Sequence, residues 1–295
     1  MEMEASELQQ IPKFIINRLD STVRLNHARK QLEKVQMSNF LTIIEAKKPD
    51  NQLQQSLFNY ISEQAYENIH NLKSTRILPN LKSVALTKSH REIWKYVIDN
   101  NLKHAIIMED DVEITDQFLF NKECSYLSEI IKTLPFLVPM YVIFNGSYSV
   151  SKVNDLLYQS YLDTNYDSNN IVNYAVYDHS KYPNFKYFPS NNNVDILGCH
   201  FYYINKEMAK VLYNNLKMTT YQLDIEISKL ASTTRIKDRC TFLNVETKSI
   251  IQSRKFISEI QFYVVDQNEL SNILKLPLEI CKCVLDYYPK CLKKN

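Results

Sequence analysis

The chain has 295 residues but only two glycines, Gly146 and Gly198, where average usage of about 7% would give roughly twenty. The scarcity excludes phosphate-binding loops built on clustered glycines, such as the Walker P-loop and the dinucleotide-binding G-x-G-x-x-G. Aromatic residues make up 12% and the formal net charge is only +2, so the chain can build a large core but has no global basic surface for nucleic acid.

Short apolar runs alternate with stretches of helical periodicity along the chain. The first strand, helix and strand have the spacing of a β-α-β unit, which implies parallel strands with a right-handed crossover. The whole pattern favours an α/β domain with a mixed, mostly parallel central sheet flanked by helices. In chain order, we predict a strand over 12–17, a helix over 21–35, a strand over 40–46, a helix over 87–101, strands over 104–108, 140–144 and 196–204, helices over 205–216 and 221–231, and a strand over 242–246.

Three segments interrupt or follow this alternation. Residues 47–80 are polar and read as an insertion with one or two short helices. Residues 148–195 are rich in Tyr, Asn and Asp, which suits a long loop region. Residues 270–295 are expected to form an amphipathic helical tail. We therefore expect one domain over residues 1–269, followed by this short tail.

Cysteine spacing and terminal composition bear on the cellular compartment. The six cysteines show no zinc-binding spacing and are expected to be free thiols. The first ten residues are acidic and polar, unlike a signal peptide, and no run reaches the roughly 18 apolar residues of a membrane span. A cytoplasmic location is expected, and the oligomeric state stays open.

Three consecutive carboxylates, Glu109, Asp110 and Asp111, follow directly after the predicted strand over 104–108. Ligands of open α/β sheets bind at the carboxyl ends of strands, and carboxylate oxygens suit Mg²⁺ or Mn²⁺ bridging a diphosphate. The two-residue period of a strand would place Glu109 and Asp111 on one side and Asp110 on the other. A solvated acidic turn is the alternative, because acidic residues often follow strands.

Four blocks of sequence point to one family. They are FIINRLDSTVRLNHARKQLEKV (14–35), LTKSHREIWKYVIDNNLKHAIIMEDDVEI (86–114), MYVIFNG (140–146) and GCHFYYINKEMAKVLYNN (198–215), with Leu223-Asp224 following. In this order they resemble glycosyltransferase family 25, which contains bacterial lipopolysaccharide-type galactosyltransferases and procollagen galactosyltransferase-like proteins. The second block is the most specific, because Ser-His, Trp and Glu-Asp-Asp-Val all occur at compatible spacing. The resemblance covers residues 12–230.

The resemblance implies a GT-A-like fold, a UDP-sugar donor, a divalent metal and inversion at the anomeric carbon. Glu109 and Asp111 would hold Mn²⁺ or Mg²⁺, with Asp110 toward the donor ribose or sugar. Asp224 aligns with the family's Val-Asp and starts a predicted helix, so it is the expected catalytic base. Glu226 is the fallback for that role. Simple helix capping or a surface charge is the alternative for Asp224.

Four further residues are expected at the donor site. Asn17 and Arg24 follow the first strand and would face the uridine and phosphates. His90 would bond the diphosphate or pin the acidic loop, and Gly146 would let the backbone approach the donor. Structural alternatives stay open, namely a solvated helix charge for Arg24, a core histidine for His90 and a tight turn for Gly146.

The expected function is a metal-dependent inverting transferase that moves a hexose, such as galactose or glucose, from a UDP-sugar to a hydroxyl of a glycan, a lipopolysaccharide-type acceptor or a protein. The loop region over 148–195 is expected on the acceptor side, because sugars stack on aromatic rings and form hydrogen bonds with Asn and Asp. The sequence departs from the family at Asp20, where an Arg is expected, and at Val84-Ala85, where Gly-Cys is usual. It also has Ile251-Gln252-Ser253 where procollagen-type members have Pro-Thr-His.

These departures keep other functions open. One is a catalytically degenerate member that binds nucleotide-sugar, and another is a scaffold that acts through the C-terminal tail. A metal-dependent nuclease or phosphatase would need more acidic ligands at other strand ends, and only Asp195 and Asp224 are candidates.

Overall fold

The structure is a computed structural model that describes residues 7–48, 61–62, 81–134, 137–150, 180–189, 194–233, 236 and 239–253. Most of the expected insertion, most of the expected acceptor-side loop region and all of the expected tail lie outside the described residues. The domain boundary at residue 269 therefore stays a prediction.

Eleven strands and six helices are described. The strands are β1 (Lys13–Asn17), β2 (Leu41–Glu45), β3 (His104–Glu109), β4 (Val112–Ile114), β5 (Met140–Phe144), β6 (Ser147–Val150), β7 (Phe185–Tyr187), β8 (Val194–Leu197), β9 (Phe201–Asn205), β10 (Thr241–Val245) and β11 (Ile250–Gln252). The helices are α1 (Glu7–Gln10), α2 (Thr22–Lys34), α3 (Leu81–Asp99), α4 (Gln117–Thr133), α5 (Lys206–Asn215) and α6 (Leu223–Ser232).

A seven-stranded mixed sheet in the order β2-β1-β3-β9-β5-β10-β7 forms the centre. β1 pairs in parallel with both β2 and β3, and β5 pairs in parallel with β10. β9 runs antiparallel between β3 and β5, and β7 is antiparallel at the edge. The expected mixed, mostly parallel α/β sheet is confirmed, and it fits a GT-A-like architecture.

Successive side chains of a strand point to opposite faces of the sheet, and here both faces are buried. In β3, Ile106 and Met108 join a cluster that includes Leu32 of α2. Ala105 and Ile107 instead join the cluster on the other face, to which α3, α5 and α6 contribute. Two cores thus fix the sheet between helices and hold its strand ends in place.

The structure differs from the predicted elements in several places, and the short strands β4, β6, β7 and β11 were not predicted. The helix predicted over 87–101 begins at Leu81, so His90 lies in its middle and not near its start. The single strand predicted over 196–204 is two strands, β8 and β9, interrupted at Gly198. Helix α4 was missed, although Asp116 caps it by accepting a hydrogen bond from the Leu119 amide at 2.9 Å.

Two further expectations concern cysteines and membranes. Cys124, Cys199 and Cys240, which fall within the described residues, are free and buried. In the described part of the chain, no helix combines the length and the apolar character needed to cross a bilayer.

Candidate active site

The acidic triplet lies where β3 ends. Glu109 is the last residue of β3, and the chain turns through Asp110 and Asp111 into β4. Ile16 of β1 pairs with Glu109, so Asn17 at the end of β1 reaches the same edge. On the other side of β3, the Glu109 amide donates to the carbonyl of His200 at 3.0 Å. Three neighbouring strands therefore bring polar residues to one edge of the sheet.

Arg24 of α2 neutralises part of the triplet. Its Nε donates to Asp110 Oδ1 at 2.7 Å, and its Nη2 lies 2.6 Å from Asp110 Oδ1 and 3.1 Å from Asp111 Oδ2. Because one guanidinium contacts both aspartates, they do not lie on opposite sides as strand periodicity predicts. The reason is that regular strand geometry ends at Glu109. The Arg24 side chain is only 17% exposed, so it is held against the carboxylates.

Asp111 has a second set of contacts from the end of the described domain. Gln252 Nε2 donates to Asp111 Oδ2 at 3.0 Å, and the Ser253 amide donates to the Asp111 carbonyl at 2.6 Å. These contacts follow from the antiparallel pairing of β11 with β4, in which Gln252 pairs with Val112. The segment that departs from the family sequence thus lies directly on the acidic residues. The other carboxylate oxygen, Asp111 Oδ1, is buried without a hydrogen-bond partner.

Glu109 and Asp224 belong to one electrostatic site. Burial raises the pKa of Glu109 well above its usual value, and the charges of Asp111, Asp110 and Asp224 add to this while Arg24 opposes it. Asp224 stands in the first turn of α6, as predicted, so the helix carries it to the acidic edge. Burial also raises the pKa of Asp224.

Gly198 orients Asp224. The Gly198 amide donates to Asp224 Oδ2 at 3.0 Å, and the Ile225 amide donates to Oδ1 at 2.9 Å. Gly198 has a φ of +108°, which glycine adopts without the steric cost that other residues pay. A Cβ atom there would also lie 3.1 Å from His200 Nδ1. The break between β8 and β9 therefore holds both the expected base and His200 in place.

Glu226, the fallback base, is hydrogen-bonded to backbone amides of its own chain segment. Its Oε1 accepts hydrogen bonds from the amides of Thr220 at 2.5 Å and Tyr221 at 2.7 Å, and the residue is buried. These bonds satisfy amides just before α6, where unpaired N–H groups would be costly. The carboxylate thus fixes the entry into α6, which carries Asp224.

Gly146 makes close contacts within the protein. Its N–H donates to Asn244 Oδ1 at 2.9 Å, and its carbonyl accepts from Asn244 Nδ2 at 2.9 Å. A Cβ atom at this position would lie 2.5 Å from Ile196 Cγ2. The absence of a side chain therefore serves the packing of β10 and β8 on this turn. Donor contact at Gly146 stays a prediction.

His90 is placed among core side chains of α3 and β9. Its Nδ1 lies 2.7 Å from the Tyr202 hydroxyl, which also accepts from Trp94 Nε1 at 3.1 Å. The imidazole stacks on the Tyr202 ring, and burial lowers the pKa of His90 to about 3. These contacts match the alternative of a core histidine, and a diphosphate contact stays a prediction.

Asp195, considered for a nuclease-like metal cluster, is engaged elsewhere. Its Oδ1 lies 3.2 Å from Lys229 Nζ, and both side chains are buried. The pair links β8 to α6, and the Asp195 charge contributes to the raised pKa of Asp224. Asp195 therefore supports the helix that carries the expected base.

His200 is a residue that the sequence analysis did not select. It is buried beside the acidic edge, and burial lowers its pKa to about 4 while the nearby Asp111 charge opposes this. Its Nε2 has no hydrogen-bond partner. The available signal was its position two residues after Gly198, one of only two glycines in the chain.

The side chains at this edge fit a divalent cation that takes only one or two of its ligands from the protein. Within the described ranges, no three His, Cys, Asp or Glu side chains gather around one point as a metal site would require. Mg²⁺-type cations often use only one or two carboxylates, completed by substrate phosphates and water. The buried, unpartnered Oδ1 of Asp111 suits such an ion, because a buried polar atom without a partner is costly.

Comparison with known proteins gives one family match. The model of the family described as "Glycosyltransferase family 25 (LPS biosynthesis protein)" matches residues 10–227. This range includes β1, the acidic triplet, the Gly198 turn and Asp224. No protein among those with curated functions matches the chain.

Proposed function

This chain belongs to glycosyltransferase family 25, and from that premise we propose that it is a metal-dependent inverting transferase with a UDP-sugar donor. One observation carries the proposal: the turn before β9 contacts both groups, because the Gly198 amide donates to Asp224 and the His200 carbonyl accepts from the Glu109 amide. A site that joins a donor-side acidic cluster to a separate carboxylate has the two groups that glycosyl transfer to a hydroxyl needs.

The donor side comprises the end of β1, α2 and the acidic turn. Glu109 and Asp111 would hold Mn²⁺ or Mg²⁺, which when bound neutralises a diphosphate leaving group. Asn17 Oδ1 is a buried acceptor without a partner, so it can accept a hydrogen bond from the uracil or ribose. Arg24 and Asp110 complete this side, with the guanidinium placed to balance charge as the diphosphate enters.

Asp224 acts as the general base. Its raised pKa brings the carboxyl closer to the range in which it can accept a proton near neutral pH. The amides of Gly198 and Ile225 fix the orientation of the carboxylate without satisfying all its lone pairs. It removes the proton of the acceptor hydroxyl as the oxygen attacks the anomeric carbon opposite the leaving diphosphate, so the configuration inverts.

The proposed substrates are a UDP-hexose, such as UDP-galactose or UDP-glucose, and a hydroxyl of a glycan, a lipopolysaccharide-type acceptor or a protein. The family description, which names lipopolysaccharide biosynthesis, supports this acceptor class. The acceptor-side region expected over 148–195 falls mostly outside the described residues. A cytoplasmic location remains part of the proposal.

A degenerate family member that binds nucleotide-sugar without turnover is the second candidate. The contacts that favour it are those of Arg24 with Asp110 and Asp111, and of Gln252 with Asp111, because they occupy carboxylate oxygens that a cation would use. A scaffold function through the tail concerns residues outside the described ranges.

Calorimetric titration of UDP into the full chain, with and without Mn²⁺, tests the proposal. Metal-dependent binding, followed by transfer from a screened UDP-sugar, is the expected result. Binding without hydrolysis or transfer of any UDP-sugar would favour the degenerate member, and absence of binding under both conditions would contradict both. Asp99→Asn is a suitable control, because Asp99 pairs with Lys95 on the surface at the opposite end of β3.

A further inference from the structure

Three buried polar atoms without hydrogen-bond partners mark the acidic edge: Asn17 Oδ1, Asp111 Oδ1 and His200 Nε2. Asp111 is 2% exposed and His200 is 6% exposed, so both side chains are shielded from bulk solvent. An unsatisfied buried polar group costs about 1–3 kcal/mol. Such a group in a folded protein calls for an explanation, and a bound ion is one of them.

The fold brings His200 and Asp111 to one edge of the sheet, from the segment before β9 and the turn after β3. β9 runs antiparallel beside β3, and His200 immediately precedes β9 while its carbonyl accepts the Glu109 amide at 3.0 Å. The Asp111 charge acts on the imidazole, so the two side chains are electrostatic neighbours. Gly198 leaves room for the ring, because a Cβ there would lie 3.1 Å from Nδ1 and 3.3 Å from Cε1.

The two unpartnered atoms have the chemistry of a mixed cation site. A carboxylate oxygen is a hard anionic ligand that suits Mg²⁺ and Mn²⁺, and a neutral imidazole is the commonest metal ligand among side chains. Asp110 Oδ1 and Asp111 Oδ2 are held by Arg24, and Gln252 also donates to Asp111 Oδ2. The buried atoms that remain available to a cation are therefore Asp111 Oδ1 and His200 Nε2.

We infer that His200 Nε2 binds the divalent cation directly, next to Asp111 Oδ1 and in the place proposed above for Glu109, and that the donor diphosphate and water complete its coordination. This inference rests on the proposed function, since the diphosphate supplies the other ligands. A site with these two protein ligands agrees with the finding that no three acidic, cysteine or histidine side chains converge among the described residues. It also gives the buried imidazole a partner that the protein itself does not provide.

Electron spin echo measurements on the tag-free full chain with Mn²⁺ and UDP test this inference. Wild type is expected to show ¹⁴N modulation from a bound imidazole together with ³¹P coupling from the diphosphate. His200→Gln is expected to lose the ¹⁴N modulation and keep the ³¹P coupling. We also expect a loss of at least about tenfold in Mn²⁺ affinity, the lower end of what removing even an outer-shell partner costs. His104→Gln is the matched control, because His104 lies at the other end of β3 and contacts Tyr203.

A measurement without any substitution covers the case in which His200→Gln does not fold. Wild type labelled with ¹⁵N-histidine should lose the ¹⁴N pattern, which identifies a histidine ligand directly. Unchanged modulation after labelling, ³¹P coupling without nitrogen coupling, or ¹⁴N modulation retained in folded His200→Gln would each overturn the inference.

The test also separates this inference from the proposed function. Bound Mn²⁺ without nitrogen coupling overturns the role of His200 and leaves a metal-dependent transferase standing. UDP binding and transfer without any bound Mn²⁺ overturn the metal part of both proposals. Absence of both UDP and Mn²⁺ binding overturns the proposed function as well.

Discussion

Two carboxylates on the first turn of α6 have different surroundings and therefore different proposed roles. Glu226 is buried and accepts two backbone amides with a single oxygen, which fixes the chain before the helix. Asp224 is half-buried and faces the acidic edge, where it influences Glu109. Position on the helix thus distinguishes a group that can meet an acceptor from one that holds the helix start.

Replacing Asp224 by Asn tests the assignment of the base. Asn keeps the size and a carbonyl oxygen that can accept the Gly198 or Ile225 amide, but it cannot take a proton. We expect UDP affinity to be retained and the transfer rate to fall by about 10²-fold or more, as for loss of a general base. Steady-state kinetics and calorimetry on the same preparation measure both quantities.

Glu226→Gln is the comparison for this variant. Its amide oxygen can still accept from Thr220 and Tyr221, so transfer should stay near the wild-type rate. A normal rate in Asp224→Asn together with a large loss in Glu226→Gln would move the base to Glu226.

Single residues could be predicted from sequence where chemistry and spacing coincide. Three adjacent carboxylates after an apolar strand indicate a site at a strand end, and the family resemblance selects Asp224. The contacts of Arg24 and His200 could not be predicted this way, because they depend on how α2 and β9 approach β3. The strand also ends before Asp110, so the two-residue period that predicted opposite sides for Asp110 and Asp111 does not apply to them.

At the scale of elements, periodicity predicted most buried strands and the helices α2, α5 and α6. It failed where one residue changes the backbone: the apolar run over 196–204 looks continuous, but Gly198 at φ +108° divides it into β8 and β9. At this break the Gly198 amide donates its hydrogen bond to Asp224. The functional turn is therefore the place where the regular pattern gives the wrong element.

Contacts between α3 and β9 give a prediction for the pH dependence of stability. His90 is fully buried and its pKa is lowered to about 3 from an ordinary value of 6.5. Between these values the unfolded chain binds a proton at His90 and the folded chain does not. The free energy of unfolding therefore falls as the pH drops below about 6.5, by about 1.4 kcal/mol per pH unit from this residue.

His90→Phe isolates this contribution, because all other titrating groups, including His200, remain in both proteins. Urea unfolding between pH 6.5 and pH 5 should show wild type losing stability relative to His90→Phe, with a slope difference of about 1.4 kcal/mol per unit at the acid end. Parallel profiles would show that His90 binds a proton as readily in the folded chain as in the unfolded chain, contrary to its buried contact with Tyr202.

At the scale of the whole molecule, the site depends on the sheet order. Residues distant in sequence, from Arg24 to Gln252, meet because β1 and β9 flank β3 and because β11 pairs with β4. The α/β class follows from alternating elements, but the antiparallel insertion of β9 between β3 and β5 has no signature in local periodicity. It is set by packing on both faces of the sheet.

The same arrangement predicts that donor binding stabilises the entire fold. A ligand that binds only the folded chain adds about 2.7 kcal/mol at a hundredfold excess over its Kd. For a domain of this size we expect UDP with Mn²⁺ to raise the Tm by about 5 °C, because each kcal/mol corresponds to about 2 °C or more. Asp111→Asn should fold and lose the Mn²⁺-dependent part of this increase, whereas Asp224→Asn should keep it. If Asp111→Asn keeps the full Mn²⁺-dependent increase in Tm, the cation does not bind at Asp111. This residue directly precedes β4, which pairs with β11, and its carbonyl accepts a hydrogen bond from the Ser253 amide.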